Sequence, residues 1–526
     1  MSGTKAPDKV DVVIVGAGAA GSLYAAKLAG AGKSVVVLEA GPPWTAADLT
    51  SSQIWARRLK WGGPNVDFQG DHHSFPHNLN TGWGFGGSAL HHYATWPRMP
   101  RDSFKLRGLH GMGRDWPFDY DELRPWYDQI QKDVGISGDA TKEHWRPPGD
   151  AYPMPGMKTF GQGRILARGF EKLGLPVAPL PAAINTKWYN NRPPCQYDGW
   201  CDAGCPILAL ANPFATYFPQ AQAAGAKLQS RATVLRIVPG AKARAAGVEY
   251  ADEKGRRIIQ HADVVVLAAS GVQNPRLLLN SAAAEWPKGA GNDTDQVGRN
   301  FMLDGVALTY GLFAEETEPH MGVSAGQLMH RALYGERPGA PFGSYQWQIA
   351  PAMKPNDIFG IAISRGDLIG QPLHDFIRRA SRHIANSVAM IEQLANPDNR
   401  VTLSGDNDAF GMPKAKILHN FGTQMPTMWR HCIDEGLAVM QAAGALEKWS
   451  APMVSGHLGG GTIMGADPVD SVTDAYGRVH GIANIVIGGS GLFPSTGGTS
   501  PTFSLMAVAL RSVEHMLGHW SDYAAA

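Results

Sequence analysis

Residues 10–21, VDVVIVGAGAAG, put Gly16, Gly18 and Gly21 in a G-x-G-x-x-G pattern directly after a short apolar run. The run reads as a buried parallel strand, and SLYAAKLAGAG after it reads as an amphipathic helix closed by glycine. KSVVVLEAG then supplies a second strand. In this strand–helix–strand setting each glycine has a separate task. Gly16 permits the tight turn, Gly18 lets the backbone approach a pyrophosphate, and Gly21 lets helix and strand pack closely. The helix N-terminus offers N–H groups and positive dipole to phosphate. Glu39 ends the second strand, where a carboxylate accepts hydrogen bonds from a ribose diol and disfavours a 2′-phosphate. These features predict dinucleotide binding without separating one dinucleotide from another.

Composition narrows the class further. Lys and Arg number 47 against 46 Asp and Glu, so the 526 residues carry a net charge of +1. That balance offers no basic field for nucleic acid. No stretch reaches 18 apolar residues free of glycine and charge, so no membrane span is expected. The first residues lack a charged segment followed by an apolar run and a cleavage site, which predicts a chain without its own signal peptide. The length is enough for two or three domains with a sizeable core.

Residues 44–96, rich in Gly, Pro, His and Trp, read as loops that shape a site. Residues 119–135 read as a helix, with Asp119 or Asp121 at its cap and Gly135 at its stop. Residues 213–227 read as a helix, 226–240 as a strand, and 245–270 as a hairpin leading into a buried strand. Residues 373–386 form a basic helix bearing Arg378, Arg379 and Arg382, read as a solvated face. His72, His73 and His77 lack a carboxylate or cysteine partner at ligand spacing and read as loop histidines.

Four cysteines are too few for a disulfide scaffold, yet Cys195, Cys201 and Cys205 fall within eleven residues. Spacings of five and three on a turn-rich loop, with Pro206 following, let three thiolates converge on one iron–sulfur cluster. A disulfide plus a free thiol is the alternative. Cys432 stands apart and reads as a small buried hydrophobe.

Four further segments occur in order: FGGSALHHYATWPR (85–98), ADVVVLAASGVQNPRLLLNS (262–281), NPDNRVTLS (396–404) and the glycine-dense stretch 456–511 beginning GHLGGGTIMG. Together with the fingerprint they resemble the glucose–methanol–choline (GMC) family of flavin oxidoreductases over nearly the whole chain. The resemblance implies a mixed α/β protein, in which a discontinuous, Rossmann-like FAD-binding domain (8–110, 186–304 and 455–526) carries an inserted antiparallel-sheet substrate-binding domain (111–185 and 305–454). It implies FAD as cofactor, with Gly86, Gly87 and Ser88 forming a small-residue turn against the flavin and Val234, Ala268 and Ser490 lining its site. His91 occupies the place where some members bond flavin covalently; hydrogen bonding in the pocket is the other reading. His457 matches the family's histidine before the flavin, the expected general base, since imidazole titrates near neutrality. His480 reads as structural. The family's second catalytic residue, Asn or His, is replaced by Ser500, which predicts a roomier pocket or another group completing the substrate's hydrogen bonds.

Residues 192–212, with the cysteine loop at 195–206, resemble the loop that holds a 3Fe–4S cluster in flavoprotein subunits of bacterial sugar and gluconate dehydrogenases. The resemblance implies an FAD-dependent dehydrogenase of a sugar, polyol or glycoside hydroxyl, with electrons leaving through the cluster. It also implies a small subunit carrying the export signal and a cytochrome acceptor, so the chain would be cytoplasmic or co-exported to the periplasm. The alternatives are an oxygen-using alcohol oxidase with a structural cysteine loop, and a flavin-binding partner subunit without alcohol chemistry.

Overall fold

A computed structural model describes residues 9–71, 78–336 and 339–524. His72, His73 and His77 lie outside the described residues. The opening residues form β1 (Lys9–Val15), α1 (Ala19–Gly30) and β2 (Val35–Leu38). From Val12 onward β1, and all of β2, is apolar and buried on both faces. β1 pairs in parallel with β2 on one side (Ile14 opposite Val37) and with Arg257–Leu267 on the other (Ile14 opposite Val266). Lys227–Gln229 extends this sheet beyond β2, Ala245–Ala251 and Thr233–Pro239 extend it antiparallel, and Ile485–Ile487 joins the C-terminal half of Arg257–Leu267. Parallel strands end on one edge, and the first loop, Glu39 and Ala268 meet there.

The segment 226–240, expected as a single strand, is broken into Lys227–Gln229 and Thr233–Pro239. Arg231 stands between them at φ +50° and sends its N–H to the Gly41 carbonyl, while Ala232 sends its own to the Glu39 carbonyl. The break is imposed by the loop after β2, which takes these donors out of the ladder. The helix expected at 213–227 is confined to Tyr217–Ala223. Among the described residues of the expected loops 44–96 there are a short strand, Asp67–Gly70, and one α-helix, Gln53–Trp61, started by Ser52, whose side chain accepts the Trp55 N–H. The helix Tyr120–Val134 begins as expected at Asp119, in a capping box with Glu122, and stops at Gly135.

A second, antiparallel sheet runs Glu447–Ser450, Met302–Leu312, Ile384–Ile391, Tyr345–Ile349, Leu328–Ala332 and Ala178–Pro179, with Val454–Gly459 also paired to Met302–Leu312. Helices Gly161–Lys172 and Gln424–Ala443 pack against it, and Cys432 is buried in the apolar core they share. The basic helix Gln371–His383 is tied down by acids, Arg378 to Asp375, Arg379 to Glu447 and Arg382 to Glu316. Its charge is a solvated, neutralised face.

Candidate active site

The loop between β1 and α1 is built so that it exposes backbone rather than side chains. Gly16 sits at φ +100°, and a Cβ there would run into the Ala268 carbonyl. A Cβ on Gly21 would overlap the Gly16 carbonyl, so only glycine lets α1 start this close to β1. Around Gly18, by contrast, there is open space. Gly18 caps α1, whose first N–H groups have no partners within the helix. The turn at 86–88 is locked onto this loop. Gly86 N–H donates to the Ala17 carbonyl at 2.9 Å, and Ser88 Oγ accepts the Gly82 N–H at 2.9 Å. Gly87 lies against Gly18.

Glu39 does more than its position at a strand end suggests. Oε2 accepts the Ala17 N–H at 2.9 Å, and Oε1 accepts those of Gly41 (2.9 Å) and Gly84 (3.1 Å). One carboxylate thereby joins three loops around the expected ribose site. Burial pushes its carboxyl upward on balance, and these N–H groups counter only part of the push.

A single cavity of about 980 Å³ runs from this cradle into the second sheet. Gly16, Gly18, Glu39, Gly87, Ser88, His91, Val234, Ala268 and Ser490 line it, and so do His457 and Ser500. Gly21 and Gly86 lie behind the wall, where they allow the packing just described. The volume is at the upper end for small-molecule sites, as a dinucleotide with a substrate in front of it requires.

His457 lies in Val454–Gly459 and Ser500 just before the helix Thr502–Gly518. Ser500 Oγ accepts from Gln348 Nε2 at 3.5 Å. Asn386, whose Oδ1 has no partner among the described residues, also lines the cavity. Gln348 therefore offers an amide beside Ser500 and Asn386 a second one on the cavity lining, and the sequence reading did not find them. His91 is buried, with Nε2 unpartnered among the described residues. Burial, then the charges of Lys60 and His92, push its ring down to about 3, so it is neutral at pH 7. His92 is a further lining residue that the sequence reading missed, pushed down to about 4 by burial. His480 bonds Ser471 Oγ at 2.9 Å and lies off the cavity, a structural role.

The cysteine loop lies on the outer side of this wall. None of the four cysteines is in a disulfide. Each loop thiol receives a backbone N–H: Cys195 from Tyr197 (3.3 Å), Cys201 from Ser324 (3.4 Å) and Cys205 from Leu210 (3.5 Å). Ser324 itself lines the cavity. Burial pushes Cys195 up to about 12 and raises Cys201 and Cys205 as well, and Arg192 faces Cys205. The donors suit thiolate sulfur. Among the described residues, however, no three His, Cys, Asp or Glu side chains are gathered as a metal site.

Comparison with known proteins agrees with this geometry. A fructose dehydrogenase large subunit from Gluconobacter japonicus is 30% identical, covering 96% of this chain and 97% of its own. A 2-methyl-1,2-propanediol dehydrogenase from Mycolicibacterium austroafricanum is 28% identical over 99% and 97%. A formate oxidase variant from Aspergillus oryzae superposes with a TM-score of 0.71 at 15% identity, covering 99% of this chain and all of the other. No described helix is long and apolar enough to cross a membrane. The N- and C-terminal GMC oxidoreductase profiles match residues 10–306 and 395–509, and the chain belongs to the GMC oxidoreductase family, enzymes acting on CH–OH groups.

Proposed function

We propose that the protein is an FAD-dependent dehydrogenase that oxidises a hydroxyl of a sugar, polyol or glycoside to a carbonyl. The observation that carries this is the continuity of one cavity from the Gly16–Gly21 and Glu39 cradle to His457 and Ser500. Gly16, Gly18, Glu39, Gly87, Ser88, Val234, Ala268 and Ser490 would hold the cofactor, with His91 beside its ring. FAD supplies a hydride acceptor when bound. His457 takes the hydroxyl proton, and Ser500, Gln348 and Asn386 orient the substrate oxygen. The division into a cofactor part (8–110, 186–304, 455–526) and a substrate part (111–185, 305–454) belongs to this reading. It is supported by the strands of the mostly parallel sheet, which fall in the first set.

Electron exit is assigned to the loop 195–206, with Cys195, Cys201 and Cys205 as ligands of an iron–sulfur cluster, expected to be 3Fe–4S. Three N–H···S contacts and the proximity of Cys201 to the cavity wall support the assignment. Such a cluster supplies a one-electron path to an acceptor other than dioxygen. The large-subunit relative motivates a partner subunit here as well, and a cytochrome acceptor is proposed on the resemblance of residues 192–212 alone.

Two experiments test this. His457→Ala abolishes anaerobic flavin reduction by substrate, while Ser500→Ala reduces it less; undiminished reduction in the first variant removes the base assignment. Anaerobically purified protein contains about three irons per flavin, with an EPR signal in the oxidised state that reduction removes. Flavin without iron or labile sulfide refutes the cluster. It favours instead an oxygen-using GMC alcohol oxidase with a structural cysteine loop.

A further inference from the structure

The strand that carries His457 is not a regular ladder. Ser455 pairs with Gly305 and Leu458 with Leu303, so Gly456 and His457 together oppose a single residue, Asp304. This is a β-bulge, a device that turns a side chain out of the regular alternation. Asp304 is completely buried, and its Oδ2 lies 3.7 Å from His457 Nδ1, an ion-pair separation. Among the described residues neither carboxylate oxygen of Asp304 has a hydrogen-bond partner, and neither does His457 Nδ1.

A buried carboxylate left in this state is costly, and packing does not require one. Just past the end of the neighbouring strand lies a second acid, Glu392, buried beside Asp304 and in reach of Tyr334. Glu392 has a partner of its own in the Gly497 N–H at 2.9 Å. Asp304 has no bond of that length, and the groups that face it are the His457 imidazole, the Thr496 side chain and the Gln393 backbone. An ionised carboxylate at Nδ1 selects the neutral tautomer with its proton there, leaving the lone pair on Nε2.

We propose that Asp304 is a positioning residue for His457. Its carboxylate accepts the Nδ1–H, holds the ring so that unprotonated Nε2 meets the substrate, and balances the imidazolium formed when Nε2 takes the hydroxyl proton. The proton passes from substrate oxygen to Nε2 and no further, and the acting form of Asp304 is the carboxylate, which burial disfavours and the facing imidazole favours. The bulge supplies the means, because it places His457 across from Asp304 instead of beside it on the ladder.

This rests on His457 as the base, and the test keeps the two apart. In ¹⁵N-histidine-labelled holoenzyme, with His457 assigned through His457→Ala, His457 is in the Nδ1–H tautomer. In Asp304→Asn the signal moves to a mixture or to Nε2–H. The same variant reduces its flavin on the order of 100-fold more slowly, on the scale of a positioned base, with substrate affinity unchanged. An Nε2–H tautomer in the unsubstituted enzyme overturns the proposal without any variant. So does an Asp304→Asn enzyme that keeps its reduction rate while His457→Ala abolishes it. If His457→Ala itself reduces normally, the base assignment fails, and the catalytic role of Asp304 falls with it.

Discussion

Glu392→Gln should remove a pH dependence that the fold builds in beside the active site. The Glu392 side chain is fully buried, and its carboxyl is pushed from the ordinary 4.5 up to about 7. Burial is the main cause, and the nearby Asp304 charge adds to it; the Tyr334 hydroxyl and Gly497 N–H oppose it. Between pH 4.5 and 7 the folded chain therefore holds a proton that the unfolded chain has released. The sign follows: stability is fully present below pH 4.5 and is lost as pH rises through 7. Two and a half units at 1.36 kcal/mol each amount to about 3 kcal/mol. Glutamine keeps an oxygen for the Gly497 N–H and has no proton to lose. The assay is denaturant unfolding at pH 5 and pH 8 for both proteins, with flavin content matched. The unsubstituted protein should lose about 2.5 kcal/mol more than Glu392→Gln across that interval, since part of the loss is complete by pH 5. Parallel pH dependences would mean that Glu392 is already ionised in the folded chain, and the reasoning from its burial would be refuted.

Two further predictions concern the cofactor cradle. Gly21→Ala forces a methyl group into the Gly16 carbonyl. It should yield protein with little bound flavin and about 1–3 kcal/mol less stability, read from the 450 nm to 280 nm absorbance ratio and the unfolding midpoint. Gly30→Ala, which meets nothing within 4 Å, is the control that should keep both. His91, neutral and with Nε2 unpartnered in the cavity wall, should hold flavin covalently. Acid-precipitated protein then retains its flavin fluorescence and His91→Ala releases it, whereas release from the unsubstituted protein leaves His91 a noncovalent neighbour.

What could be read from the sequence were the features written in neighbouring residues. The Asp119 cap and Gly135 stop of the helix between them need only local geometry, and both hold. The β1–α1–β2 unit is legible because its glycines and its apolar runs state the same fold at two levels. Helix Gln53–Trp61 was hidden because only Trp55, Ala56 and Leu59 are buried, too few to show a period among the glycines and prolines around it. Glu39 was half legible. Its place at the strand end marks a dinucleotide site, but the bond from Gly84 crosses 45 residues, and no spacing announces it. The broken strand at 227–239 has the same origin, since its lost ladder bonds go to the carbonyls of Glu39 and Gly41.

Asp304 is the extreme case. In sequence it sits inside an apolar strand, where an acidic residue reads as an edge or an error. Its meaning depends on a register shift against a strand that begins 150 residues later, and on which single residue that shift leaves across from His457. Motifs reveal the groups that meet the cofactor, because those must sit at fixed offsets within one loop. The groups that hold the reacting side chains in place come from distant strands, selected by pairing and burial. For that reason the acid behind His457, and the Gln348 amide beside Ser500, emerge only once the second sheet has been assembled.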